Sequence, residues 1–226
     1  MIVRGNLDGN PNIGVFALAT DNFVLIPSNL TKSSERYIRE AFNMRPLRIT
    51  VGGSPLVGCL SAGNSKGLLF PWYVSEIEVD RIVSEIVDNY GIEIGIIRDR
   101  FTALGNLLLA NDHASLVHPD LSNESINIIE DVLDVEVQRG MIAGMKNVGA
   151  VGIVTNKGGL LHPNTKEEEI EYLETLFRVS IDTGTVNHGF PYVKTGMIAN
   201  SKGVLAGSAT TGPEIARIEN ALGFLD

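Results

Sequence analysis

The chain has 226 residues, of which 44% are hydrophobic and 20% charged, a composition of folded globular proteins that excludes disorder. No apolar run approaches the roughly 18 residues that a membrane-spanning helix needs, and the first residues lack the long apolar stretch of a signal peptide. We therefore expect a cytoplasmic protein without membrane contact. The single cysteine, Cys59, excludes an intramolecular disulfide and a cysteine-rich zinc site.

The net charge is −9, from 18 basic and 27 acidic residues, and no stretch is rich in Lys or Arg. Binding to a phosphate backbone needs clustered cations, so this charge disfavours free nucleic acid as a partner. An acidic surface instead suits a basic protein, whose approach it accelerates. The alternative is that the charge only keeps the protein soluble.

In chain order, the first predicted element is an isolated apolar strand, Met1–Arg4, and a repeated pattern follows it. In each copy an apolar run leads to a proline or glycine, and these residues lie 44, 48, 44 and 44 apart. A polar turn rich in Asn and Gly precedes each run, which is typical of β-hairpins. The five anchoring residues are Pro27, Pro71, Pro119, Pro163 and Gly207.

An amphipathic helix is predicted after each hairpin, and three of these helices open with the pattern of a capping box. The predicted boxes pair Ser75 with Glu78, Thr165 with Glu168, and Thr211 with Glu214. A further short strand follows the first four helices, so the unit is hairpin, helix, strand. The predicted strands are Leu47–Val51, Ile92–Ile97, Val135–Gln138 and Arg178–Ile181.

The fifth copy lacks its last strand, and Met1–Arg4 can supply it and close the repeats into a ring. The sequence therefore predicts a closed, fivefold pseudosymmetric α/β propeller with repeats of about 44 residues, forming a single domain, 1–226. The alternative is a linear solenoid, which would leave apolar end faces bare. The approximate repeats are 9–52, 53–100, 101–144, 145–188 and 189–226, with 1–8 closing the ring.

Candidate catalytic groups are few. Cys59 lies inside an apolar run, where a thiol usually packs. His118 and His162 share one repeat position before a proline, which indicates a structural role in the turn. No spacing typical of a metal site or a phosphate-binding loop occurs, so we expect no catalytic residues, no metal and no cofactor.

In a closed ring, the segments that lead into the five hairpins emerge at one end. We predict that this end is a mixed apolar and polar face for protein binding, with the alternative that these are simply well-packed loops. Its apolar members are Pro55, Leu56, Leu104, Val148, Tyr192 and Val193. The segments are Asn10–Gly14, Gly53–Val57, Phe101–Asn106, Met145–Gly149 and Phe190–Lys194.

These features, over essentially the whole length, resemble the translation initiation factor 6 family of archaea and eukaryotes. The likeness rests on the five units and on five strings in this order: Thr102–Asn106, Ala114–Leu121, Thr155–Pro163, Gly184–Asn187 and Thr210–Glu214. It implies a pentein-type fold and a monomer that binds the large ribosomal subunit near the sarcin-ricin loop and ribosomal protein uL14. There the factor would sterically block the small subunit, with a further role in large-subunit maturation.

The resemblance also implies binding residues. Asn106 matches an asparagine of the family's ribosomal-protein interface, and Gly14 and Val193 lie in segments that contribute to it. The pseudosymmetry extends the prediction to the remaining positions, which are Asn12, Pro55, Leu56, Thr102, Leu104, Gly105, Val148 and Tyr192.

Two other classes stay open. Pentein folds also include amidine-modifying hydrolases and transferases with a Cys-His-carboxylate set, but these have their cysteine near the C-terminal end, whereas Cys59 is in the second repeat. A ring could also encircle another molecule as a clamp, although five small units predict a barrel filled by side chains.

Overall fold

The computed structural model describes residues 1–87 and 90–225; residues 88, 89 and 226 of the predicted domain lie outside the described residues. Within the described residues the protein is mixed α/β, with five three-stranded sheets. Each sheet joins an antiparallel hairpin to a third strand that runs parallel to the second hairpin strand. The strands are β1 (Ile2–Gly5), β2 (Leu18–Ala19), β3 (Val24–Pro27), β4 (Leu47–Ile49), β5 (Ala62–Gly63), β6 (Gly67–Pro71), β7 (Glu93–Ile97), β8 (Leu108–Ala110), β9 (Ala114–Val117), β10 (Glu136–Arg139), β11 (Gly152–Val154), β12 (Gly159–Leu161), β13 (Ile181–Thr183), β14 (Met197–Asn200) and β15 (Gly203–Gly207).

Two kinds of helix alternate with these strands. A four-residue helix precedes each hairpin: α1 (Ile13–Phe16), α3 (Val57–Leu60), α5 (Leu104–Leu107), α7 (Val148–Val151) and α9 (Val193–Gly196). A longer helix follows each hairpin: α2 (Lys32–Phe42), α4 (Glu76–Ile82, followed by a π-helical segment Val83–Val87), α6 (Asn123–Leu133), α8 (Glu167–Phe177) and α10 (Gly212–Ala221). Along residues 1–87 and 90–225, none of the helices combines the length and apolar character that crossing a bilayer demands.

The N-terminal strand completes the last sheet, as predicted. Strand β1 pairs in parallel with β15, with Ile2 opposite Val204 and Gly5 opposite Gly207. Strand β15 pairs antiparallel with β14, so this sheet has the same make-up as the other four. The first and last strands of the described chain are therefore joined by backbone hydrogen bonds.

The predicted strand Arg178–Ile181 begins too early. Arg178 has a left-handed backbone conformation, with φ of 57°, and it ends helix α8 instead of opening a strand. The strand begins only at Ile181, whose N–H donates to the side chain of Glu174 just before the ladder with β12. A helix cap rather than side-chain alternation thus decides where this strand begins.

Two of the three predicted capping boxes are confirmed. Ser75 pairs with Glu78 and Thr211 with Glu214. The pairing of Thr165 with Glu168 is wrong because the Thr165 hydroxyl donates to the carbonyl of His162. Helix α8 starts one residue later, with Lys166 as its N-cap and its N–H donating to Glu169, 3.0 Å away.

The apolar core crosses the boundaries between repeats. Ile38 and Phe42 of helix α2 pack with Val24 of their own hairpin, and also with Ile198 and Leu205 of the fifth repeat. The five core clusters each contain one longer helix and the strands beneath it. Each repeat therefore depends on a neighbour to bury its apolar surface.

Strands from all five sheets line a small cavity of about 60 Å³, which we call the axial cavity. The sequence predicts a barrel filled by side chains, and the space left beside small residues such as Ala19, Gly63, Ala110 and Ala199 is limited to this cavity. The cavity has room for about five water molecules. At the hairpin-turn end, the Asn156 side chain donates to two carboxylates of other repeats, at 2.9 and 2.6 Å, and thereby links three repeats.

Candidate protein-binding face

The five short helices form a closed cycle of contacts, which we call the helix ring. Helix α1 contacts α3, α3 contacts α5, α5 contacts α7, α7 contacts α9, and α9 contacts α1. The segments predicted to emerge at one end of the protein lead directly into these helices. The structure therefore brings the predicted segments together at one end of the axial cavity.

The second residue of four of these helices is a glycine, because the helices touch backbone to backbone. A Cβ at Gly14 would lie 1.7 Å from the Lys194 carbonyl oxygen, and one at Gly58 would lie 2.1 Å from the Gly14 carbonyl oxygen. The corresponding distances are 2.0 Å from Gly105 to Gly58 and 2.4 Å from Gly149 to Gly105. Only hydrogen fits at these four positions.

The fifth helix has Lys194 at this position, and its long side chain reaches across the ring. Its ammonium donates to the carbonyl oxygen of Gly105 at 2.5 Å and faces that of Gly58 at 3.4 Å. These carbonyls belong to the second and third repeats, which are not neighbours of the fifth in the cycle. Burial lowers the pKa of Lys194 to about 8, with an opposing effect from Cys59.

The third residue of each short helix is half-buried, and in three of them it carries a polar group: Cys59 in α3, Asn106 in α5 and Thr195 in α9. Burial raises the pKa of the Cys59 thiol, while the Lys194 ammonium and a hydrogen bond from the Asn106 side chain act in the opposite direction. Cys59, Asn106 and Lys194 therefore lie close together, and we call them the Lys194 cluster. The sequence predicted Cys59 to be a packing thiol inside an apolar run. In the structure Cys59 is instead half-buried beside two polar groups, Lys194 and Asn106.

Some of the predicted binding residues are available at the surface. Pro55, Leu56 and Tyr192 are exposed, and Asn12, Thr102 and Asn106 are half-buried. The structure adds Phe190, whose ring lies 5.5 Å from that of Tyr192, and His162, whose ring meets Tyr192 edge-on at 6.1 Å. Exposed aromatic groups are typical of protein-binding surfaces.

Other predicted residues lie beneath this surface. The prediction of an exposed apolar face is wrong for Leu104, Val148 and Val193, whose side chains are each 0% exposed. Each is the first residue of a short helix and packs into the core of its repeat. Gly14 and Gly105 are buried by the neighbouring helices of the ring.

The two histidines that precede proline have matching structural roles, as the sequence indicates. The Nδ1 atom of His118 accepts the N–H of Asp120, and that of His162 accepts the N–H of Asn164, both at 3.1 Å. Burial is the main cause that lowers the pKa of both imidazoles. Each neutral ring thus caps the turn between a hairpin and its helix.

For each longer helix, one carboxylate ties the start of the helix to the turn that leads into the helix ring. Glu214 accepts hydrogen bonds from Thr211, which caps helix α10, and from Thr185, His188 and Gly189 in the turn. Burial raises its pKa, but these hydrogen bonds outweigh that effect and lower it to about 2. The other four carboxylates are Asp8, Glu78, Asp99 and Glu169.

The profile of the eIF-6 family matches residues 2–221. The chain is 46% identical to translation initiation factor 6 of Pyrococcus horikoshii over 226 residues, which is 99% of both chains. It is 47% identical to the factor of the same name from Methanosarcina mazei over 214 residues, covering 95% of this chain and 94% of the relative.

Both of these relatives are translation initiation factors. The chain belongs to the eIF-6 family.

Proposed function

We propose that this protein is a translation factor that binds the large ribosomal subunit and sterically prevents its association with the small subunit. A role in large-subunit maturation follows from the same binding. The observation that carries the proposal is the 46% identity to a translation initiation factor 6 over 99% of both chains, which includes every segment of the helix ring.

The binding face is the rim of the helix ring. Asn106 is half-buried beside Lys194, and Tyr192, Phe190 and Leu56 are exposed in other segments of the rim. The proposed partner is ribosomal protein uL14, near the sarcin-ricin loop. A net charge of −9 favours encounter with a basic ribosomal protein and disfavours binding to free nucleic acid.

The fold that presents this face is, in our proposal, a pentein-type closed propeller in a monomer of the cytoplasm. The cyclic contacts of the short helices and the pairing of β1 with β15 support closure. Each repeat shares its core with a neighbour, as closure requires.

We propose binding without turnover, and therefore no catalytic residue and no cofactor. The amidine-modifying alternative needs a cysteine activated by histidine and carboxylate. The groups that act on the Cys59 thiol are instead Lys194 and Asn106, and burial raises the thiol pKa. This setting keeps the thiol protonated and disfavours the nucleophile that such chemistry requires.

Asn106→Ser is expected to weaken binding to the large subunit by about tenfold, because a central interface amide is removed without a change in the core. The measurement is co-sedimentation of the purified protein with separated ribosomal subunits, followed by a subunit-joining assay. We expect the wild type to bind the large subunit alone and to block joining, and the variant to block joining only at a higher concentration.

The matched control is Asn220→Ser. Asn220 is exposed on helix α10, next to Ala221, whose carbonyl oxygen lies against Gly158 in a hairpin turn at the other end of the axial cavity. This variant is expected to bind as the wild type does. Failure of the wild type to bind either subunit would refute the proposed function, and equal binding by Asn106→Ser would refute the proposed face.

A further inference from the structure

Lys194 breaks the pattern of the helix ring. At this position the other four short helices have glycine because a neighbouring carbonyl oxygen occupies the space of a side chain. Lys194 instead sends a half-buried chain across the ring and lines the end of the axial cavity. A flexible, charged side chain is an uncommon group in such a site, since its burial costs free energy.

The two carbonyl oxygens that Lys194 faces lack a helical partner. Gly58 and Gly105 are the second residues of helices that end two residues later, and strands begin at Ala62 and Leu108. The last carbonyls of a helix need donors from elsewhere. The ammonium of Lys194 is the donor for Gly105 and lies within 3.4 Å of the Gly58 carbonyl oxygen.

Each of these carbonyls immediately precedes a residue of the Lys194 cluster. Gly58 precedes Cys59, and Gly105 precedes Asn106. In the described part of the chain, Cys59 is the titratable group whose charge acts on Lys194, and Lys194 acts on Cys59 in return. The fifth repeat thus contacts the two helices that present Cys59 and Asn106, although it adjoins neither in the ring.

We propose that Lys194 is a positioning residue whose ammonium binds the Gly58 and Gly105 carbonyls and so fixes helices α3 and α5, which sets Asn106 for binding. The part of this proposal that concerns the positions of helices α3 and α5 depends only on the contacts of the Lys194 cluster. The binding part rests on the proposed function.

The test replaces Lys194 with a neutral side chain of similar length, Lys194→Met. Because the protein has one cysteine, the rate of Cys59 alkylation by iodoacetamide as a function of pH reports the cluster directly. Loss of the ammonium is expected to move the midpoint of this profile up by about one pH unit and to slow alkylation at pH 8 about tenfold. The NMR signal of the Asn106 side-chain amide is expected to shift, and the affinity for the large subunit to fall about tenfold.

Two further variants separate charge from folding. Lys202→Met removes an exposed lysine whose ammonium donates to the Asp21 carbonyl at the hairpin-turn end, and it is expected to leave all three measurements unchanged. Lys194→Arg keeps a cation and is expected to keep the Cys59 profile closer to that of the wild type than Lys194→Met does.

An unchanged Cys59 profile and Asn106 signal in Lys194→Met would overturn the proposal. A changed profile with unchanged affinity would overturn its binding part. If the wild type does not bind the large subunit, the proposed function fails, while the thiol profile and the amide signal still decide whether Lys194 positions the cluster.

Discussion

Gly105→Ala is expected to lower the free energy of unfolding by about 3 kcal/mol, because a Cβ at this position would lie 2.0 Å from the carbonyl oxygen of Gly58. That oxygen belongs to the backbone of a packed helix, so it cannot rotate away as a side chain can. For a domain of this size the loss corresponds to a decrease in melting temperature of roughly 6–12 °C. Differential scanning calorimetry measures it.

The matched control is Gly212→Ala. Gly212 begins helix α10, and a Cβ there would meet no heavy atom within 4 Å. Alanine favours helix over glycine, so this variant is expected to be as stable as the wild type or slightly more so. A Gly105→Ala protein with unchanged melting temperature would contradict the backbone packing of the helix ring.

Glu214→Gln is expected to lower the free energy of unfolding by about 3 kcal/mol at pH 7 and by only about half of that at pH 3. The pKa of Glu214 falls from 4.5 to about 2 on folding, although burial opposes this decrease. A carboxylate with a lowered folded pKa stabilises the protein above its unfolded pKa, and this stabilisation is lost as the pH falls towards 2. Gln removes the charge and directs an NH₂ group at hydrogen-bond donors of the turn and the cap.

Urea unfolding at both pH values measures the difference. Glu168→Gln is the control, because Glu168 is exposed in the first turn of helix α8 and is not the carboxylate that caps it. It is expected to change stability by less than about 0.5 kcal/mol at either pH. A Glu214→Gln effect of equal size at pH 7 and pH 3 would show that lost packing, and not the carboxylate charge, is responsible.

The fold could be predicted from the sequence because its unit is repeated. Regular spacing from Pro27 to Gly207 and the helix signals at Ser75 and Thr211 reinforce each other, so the repeat can be recognised even where one copy has a weaker pattern. The predicted helix and strand boundaries were wrong where a single hydrogen bond or cap determines them. The hydroxyl of Thr165 bonds to the chain before it, and Arg178 adopts a left-handed cap, neither of which follows from residue type.

The segments of the proposed binding face could be predicted from the sequence, whereas the exposure of individual side chains was predicted less well. Symmetry correctly grouped the five segments, but it could not distinguish Leu104, which points into the core, from Leu56, which is exposed. In a short helix the first residue packs into the core and the second contacts the adjacent helix of the ring. A helix of four residues is too short to show this alternation as a sequence pattern. The only signal for the Lys194 cluster was the departure of Lys194 from the small residues of the other copies.

The pairing of β1 with β15 also constrains the order of folding. Ile2 and Val204 are separated by almost the full length of the chain, so this ladder closes the longest loop in the protein and is entropically the most costly contact to form. Among the strands, β1 precedes all others in the chain and its partner β15 follows all others. The other four sheets can therefore form while β1 is still unpaired. Formation of the fifth sheet also brings Leu205 against helix α2 of the first repeat, so closure of the sheet and burial of that helix are coupled.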